Sequence, residues 1–224
     1  MENRKIVVPG EIIVEGEKFL AGDFVRKENE KIIASRYGLV EIEGLLVKVI
    51  PLSGAYIPRK GNLVIGSVLS ITYNGWILDL DSHYKAFLSL NEFPKFVNKG
   101  ELREYLDYGD VVYAKITEVQ GSNIELSLKF RGCGKLKNGQ LINVNPYKVP
   151  RIIGKEGSMV NLIKKLTNTN IIIGQNGVIS VEGKEIKDEL KAIKIIKFVE
   201  ENSFLTGLTD LVEKYARNLE EKNE

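Results

Sequence analysis

The sequence predicts a multidomain protein that is mostly β and closes with an α+β domain bearing an extra C-terminal helix. Two observations lead there. Up to residue 130, short runs rich in Val, Ile, Leu and aromatics alternate with turn residues; from residue 138, apolar residues recur at helical spacing around a glycine loop and one hairpin signal. At 224 residues the chain can hold two or three small domains, each with a modest core. The changes of pattern divide it into a β-rich domain over 1–60, a barrel-like domain over 61–130, a Gly- and Lys-rich connector over 131–137 and the α+β domain over 138–224.

The first sixty residues carry β-prone segments at Ile6–Glu11, Phe24–Arg26, Ile32–Ser35, Leu39–Ile42 and Leu45–Ile50. Ten basic and nine acidic residues leave this domain without phosphate-binding character. Between residues 61 and 130, five runs follow at Asn62–Thr72, Trp76–Asp81, Tyr84–Leu90, Asp110–Val119 and Ile124–Lys129, separated by turns such as Asn74-Gly75 and Gly121-Ser122-Asn123. Five strands in about 70 residues suit an OB-fold barrel. Strand alternation puts Trp76 and Leu78 on one face and Ile77 and Asp79 on the other.

In the last domain, Arg151-Ile152-Ile153-Gly154-Lys155-Glu156-Gly157 sets two glycines around a lysine and a glutamate, just before helical spacing from Ser158 to Leu166. Without Cβ atoms the main chain there can approach a sugar-phosphate backbone, Lys155 adds a cation, and the helix start offers unpaired N–H groups to the same phosphates. Asn170–Ile173 and Gly177–Val181 read as strands joined through Gly174-Gln175-Asn176-Gly177, a hairpin signal. A helix is expected over Glu185–Glu200, and Leu205, Leu208, Leu211, Val212, Tyr215 and Leu219 give a further amphipathic helix packing on its own domain or on a partner. Net charge is only +2, but residues 138–200 hold ten basic against six acidic side chains, so this part is locally basic.

The order of strand, helix, glycine loop, helix, hairpin and helix, with Ile-Ile-Gly-Lys-Glu-Gly at its loop, resembles a KH domain of the eukaryotic type (type I) over residues 138–200. The resemblance implies a cleft for about four nucleotides of single-stranded RNA. Gly154, Lys155, Glu156 and Gly157 would clamp the backbone beside Arg151, with Ile152, Ile153, Ile171 and Ile173 near the bases and Glu156 turned away from the phosphates. Residues 61–130 resemble an S1-type RNA-binding domain through Gly66-Ser67-Val68, Gly75-Trp76-Ile77-Leu78, Phe87-Leu88-Ser89-Leu90, Gly109-Asp110-Val111-Val112 and Ile124-Glu125-Leu126-Ser127. Where many S1 domains place stacking aromatics and a histidine, this chain has Asn74, Ile77 and Ser89. The RNA contacts expected here are therefore Tyr73, Trp76, His83, Lys85, Phe87 and Lys115, through stacking or backbone tracking.

Val8-Pro9-Gly10-Glu11 resembles the opening of the RNA-binding cap subunits of the archaeal exosome, and the three domains in this order resemble the S1-KH type of that cap from end to end. The zinc-ribbon cap type is excluded, since the chain has a single cysteine. The resemblance implies a partner-docking N-terminal domain and two further copies of the chain. Together these would sit on a hexameric ring of RNase-PH-type phosphorolytic subunits and guide RNA 3′ ends inward for degradation or processing. A free-standing S1-KH regulator, such as a transcription antitermination factor, is the alternative.

No catalysis, metal or cofactor is expected of this chain. Cys133 has no partner base, one histidine excludes polyhistidine ligation, and Asp79 with Asp81 on one strand face are too few for a metal site. No apolar run approaches the ~20 residues of a membrane span and no secretory signal opens the chain, so a cytoplasmic location without membrane contact is expected.

Overall fold

The computed structural model describes residues 5–98, 100–136, 139–205 and 207–221. The chain forms two compact units, Met1–Gly54 and Ala55–Glu224.

The first unit contains β1 (Ile6–Val7), β2 (Ile12–Glu15), β3 (Leu20–Ala21), β4 (Val25–Glu28), β5 (Lys31–Ala34), β6 (Gly38–Glu43) and β7 (Leu46–Pro51). They make a four-stranded sheet in the order β1-β6-β7-β3 and a three-stranded sheet in the order β2-β5-β4. Val7, Ala34, Val40 and Val49 form the core between them. β2 and β3 lie outside the expected segments; with Ile12 41% and Leu20 58% exposed, strands this short and this wet leave little hydrophobic pattern to read.

The second unit begins with the barrel: β8 (Leu63–Thr72), β9 (Gly75–Asp79), β10 (Lys85–Ser89), the short helix α1 (Leu102–Tyr105), β11 (Val111–Gln120) and β12 (Asn123–Ser127). The strands run β12-β10-β9-β8-β11, and β11 pairs back onto β12 to close the barrel. Alternation fills it as the sequence requires: Trp76, Leu78, Ala86, Leu88, Ala114, Ile116, Ile124 and Leu126 all point inward and are buried. Leu102 and Leu106 plug one end, where the Trp76 indole N–H donates to the Leu106 carbonyl at 3.0 Å. Residues 55–60, expected in the first domain, belong with this unit, since Tyr56 joins the barrel core and its hydroxyl donates to Asn62 Oδ1 at 2.8 Å. Nor is the expected connector all loop. Gly134–Lys135 forms β13, which pairs with β11, while the boundary expected between Lys137 and Asn138 lies outside the described residues.

The same unit continues through β14 (Gln140–Asn143), α2 (Val149–Ile153), α3 (Ser158–Thr167), β15 (Asn170–Ile173), β16 (Val178–Glu182), α4 (Ile186–Glu201) and α5 (Leu208–Glu221). The antiparallel sheet runs β14-β16-β15, so β15 is an edge strand. Ile152, Ile163, Ile179, Val181, Ile195, Ile196 and Val199 form the core beneath the helices. The last helix packs on its own domain through buried Leu208, Val212 and Ala216, and the Tyr215 ring stacks on Phe198 with centroids 4.2 Å apart.

The barrel and the C-terminal module are joined through the Gly174–Gly177 turn. β9 pairs with β8 only from Ser67 onward, which leaves the edge of β8 at Leu63 and Ile65 without a strand on that side. The turn fills the gap. Gln175 donates its N–H to the Leu63 carbonyl at 2.7 Å and accepts from the Leu63 N–H at 2.9 Å through Oε1. Asn176, 4% exposed, accepts from the Ile65 N–H at 3.1 Å and donates to the carbonyls of Ile65 and Leu80, both at 2.8 Å. An unpaired buried peptide group costs about 1–3 kcal/mol, so these bonds decide whether the seam holds. Replacing Asn176 with Ala strands three buried main-chain groups and should lower the stability of this unit by about 3 kcal/mol. The fluorescence of Trp76, the only tryptophan, reports the barrel in urea unfolding. An unchanged midpoint would show that the seam is not held by these bonds.

Candidate nucleic-acid interface

The glycine loop is shaped by backbone geometry. α2 ends at Gly154, whose φ of 75° and ψ of 173° is a conformation open essentially to glycine alone. A Cβ there would lie 2.7 Å from the Met159 nitrogen and 2.8 Å from its Cβ. Glu156 and Gly157 follow in left-handed conformations, at φ 53° and 80°. α3 starts directly after them with no side-chain cap, so its first N–H groups face outward with the positive end of the helix dipole. Arg151, Lys155 and Glu156 are exposed and the two glycines half-exposed, which leaves the turn at the surface.

The isoleucines divide. Ile153 and Ile173 are half-buried and pack against the core near the loop and on the edge strand β15 respectively. Ile152 and Ile171, 0% and 3% exposed, are core and cannot meet a base. The helix period turns Ile152 inward, and Ile171 packs into the core on the same strand face as half-buried Ile173, so nearness to the loop in sequence does not by itself expose a side chain.

The barrel residues divide as well. Trp76 is 0% exposed and, with its N–H already engaged, is core rather than a stacking platform. Tyr73 is 72% exposed in the β8–β9 turn. Phe87 is half-buried on the outer face, paired with Ile77 on β9 and Glu125 on β12. His83 and Lys85 are exposed at the β9–β10 loop, with Lys85 opposite Asp79. Lys115 holds its ammonium 4.1 Å from the ring centroid of Phe130. Asp79 and Asp81 do not share a strand face, because β9 ends at Asp79 and Asp81 turns into a left-handed conformation. The Asp81 carboxylate accepts from Asn143 of the C-terminal module, and among the described residues no group of three metal-ligating side chains occurs. Burial pushes the Cys133 thiol above its ordinary pKa despite nearby Lys115, the reverse of an activated nucleophile.

In the first unit, Val8, Pro9 and Gly10 are exposed on a turn closed by Glu11. The Glu11 carboxylate accepts from Lys5 at 2.6 Å and from the Val8 N–H at 3.2 Å, and these two bonds hold it below the usual carboxylate range.

Sequence reading missed one residue on which the second unit depends. Asn176 reads as an ordinary hairpin residue, and no local signal distinguishes an amide that faces solvent from one that enters another module.

A closed five-stranded barrel fused to a module with an exposed Gly-x-x-Gly turn defines the S1-KH class of nucleic-acid-binding architecture. Residues 4–53 match the family described as the N-terminal domain of exosome RNA binding protein RRP4. Residues 56–130 match the S1 domain of exosome complex component RRP40, and residues 139–198 match the KH domain. The chain is 41% identical over 221 residues to exosome complex component Rrp4 of Pyrococcus abyssi, covering 95% of this chain and 82% of that one. It is 39% identical over 217 residues to Rrp4 of Thermoplasma volcanium, covering 96% and 91% respectively. A crystal structure of a putative exosome complex RNA-binding protein superposes with a TM-score of 0.68 at 28% identity, covering 76% of this chain and 100% of that one. The chain belongs to the Rrp4 family of exosome components. No helix among the described residues is long and apolar enough to cross a membrane.

The two glycines of the loop should respond differently to substitution. Gly154→Ala meets both a clash and a glycine-only conformation and should cost about 3 kcal/mol, whereas Gly157→Ala meets no atom closer than 3.5 Å and should cost about 1 kcal/mol for its left-handed backbone. Denaturant unfolding of the two variants checks the order; equal losses would contradict the loop geometry.

Proposed function

We infer that this chain is the RNA-binding, non-catalytic subunit of an archaeal-type exosome. Single-stranded RNA enters the groove between the Gly154–Gly157 turn and β15, its phosphates against loop N–H groups and Lys155, its bases toward Ile153 and Ile173. The exposed glycine turn leading into an uncapped helix start carries this reading, because it presents donors and positive dipole where a backbone can reach them. With two further copies the chain caps a hexameric phosphorolytic ring of RNase-PH-type subunits and guides 3′ ends into its channel, where the chemistry takes place. The first unit makes the attachment through Val8, Pro9, Gly10 and Glu11. Its near-balanced charge suits a protein surface better than a phosphate, and Ile6, Val8 and Leu20 expose more than half of their surface. Threefold repetition turns modest single sites into firm capture. The proposed place of work is the cytoplasm, and no cofactor enters the proposal.

Two outcomes are expected. Replacing Lys155 and Glu156 together by Asp sets carboxylates against phosphates and should weaken binding of a single-stranded oligonucleotide about tenfold or more in a filter assay. Unchanged affinity would reject the groove. Deleting residues 1–54 should abolish co-purification with ring subunits while sparing RNA binding; a truncated chain that still captures the ring, or a full chain that elutes with RNA polymerase instead, would reject the cap.

A further inference from the structure

The sheet of the C-terminal module has a second face, turned away from its helices. Strand alternation sends Ile171, Ile179 and Val181 into the core, so Leu141 on β14, Ser180 and Glu182 on β16, and Asn170 and Ile172 on β15 point the other way. Two cavities of about 400 and 420 Å³ open over this face. Asp79, Asp81 and Val111 wall the first, and Gly132–Leu136 walls the second. They adjoin, since Leu141 of the first cavity and Ser180 of the second are register partners on neighbouring strands. The Leu136 N–H, donating to the Val111 carbonyl at 2.8 Å, joins their walls.

Ser180 is the anomaly on this face. At 5% exposure its side chain is almost out of water, yet its hydroxyl makes no hydrogen bond within the chain and borders the second cavity. A nearly buried hydroxyl without a partner is unfavourable, and a ligand in that cavity would supply the missing bond.

The neighbouring groups identify the ligand. The side chains of Glu182 and its register partner Asn170 carry no hydrogen bond or ion pair, while Lys135 in the same lining is already held by Asp110 at 2.5 Å. In the first cavity Asp79 accepts from the Asp81 N–H at 3.0 Å and Asp81 accepts from the Asn143 amide, so neither carboxylate is neutralised. Such a face repels phosphate and attracts a cation. A compact metal ion does not match it, because among the described residues no three metal-ligating side chains stand together. An extended cation does. We propose that this face binds a linear aliphatic polyamine, with one ammonium at Glu182 and Ser180, another at Asp79 and Asp81, and the methylenes against Leu136, Leu141 and Ile172. Each ammonium brings several N–H donors to carboxylate and hydroxyl oxygens that accept them. Bound there, the ligand touches barrel and C-terminal module at once and stabilises the second unit by favouring the joined state. The site is independent of the glycine groove.

The test is equilibrium dialysis of the full chain against labelled spermine without nucleic acid. One spermine should bind per chain, and Glu182→Gln and Asp79→Asn should each weaken it about tenfold through loss of a charged hydrogen-bond acceptor. Ser180→Ala should weaken it about fivefold while leaving the urea midpoint of the ligand-free chain no lower, since the hydroxyl has no partner to lose. Glu17→Gln, at an exposed carboxylate of the first unit, should leave binding unchanged. No retained spermine overturns the site, as does an equal loss in Glu17→Gln or full displacement by magnesium of equal charge, either of which marks diffuse attraction. Retention of tetralysine but not spermine also overturns it and assigns the cleft to a lysine-bearing protein segment.

Discussion

A buried carboxamide anchors the seam between the two modules of the second unit, with the two bonds of Gln175 to Leu63 beside it. β8 leaves part of its edge open where β9 departs, and Asn176 of the C-terminal module supplies one acceptor and two donors to that opening. Few side chains could do this, since the site needs both a donor and an acceptor on one short, flat group. The consequence is mechanical. The barrel and the C-terminal module become one body, so under the proposed function an RNA that meets both does not have to freeze their relative motion on binding.

That rigidity suits a protein whose charge is nearly balanced. At a net charge of +2 the chain is no general polyanion trap, and Arg151 and Lys155 stand exposed at the glycine turn. The first unit spends its charges on itself, with Lys48 bound to Glu41 at 3.0 Å and Lys5 to Glu11 at 2.6 Å. Under the proposed function, this division separates a surface for protein from surfaces for phosphate.

Much of the fold was legible because its signals are local. Five barrel strands follow from period-2 alternation and Gly-containing turns, and the bounds of the observed β8 to β12 lie within two residues of the runs that foretold them. The glycine turn and both late helices were equally plain, since Gly154 sits at a backbone angle that only glycine takes and α4 buries Ile195, Ile196 and Val199 at helical intervals. The errors came where an aromatic or aliphatic residue serves core and surface alike. Trp76, Ile152 and Ile171 have the chemistry of a binding face, and only burial assigned them to packing. Asp79 and Asp81 looked like strand neighbours until the left-handed turn at Asp81 separated them.

By itself the sequence determined the module order, the barrel, the glycine turn and the exclusion of a cysteine-based zinc site, all of which rest on spacing along one chain. The tertiary structure alone decided that barrel and C-terminal module are one body and that the β8–β9 turn, the residues after β10 and the exit of β12 are fastened together. Those facts depend on hydrogen bonds between residues about a hundred positions apart, as with Ile65 and Asn176, or between successive loops. Pattern along a strand or helix encodes which way a side chain points, but not which distant backbone it meets.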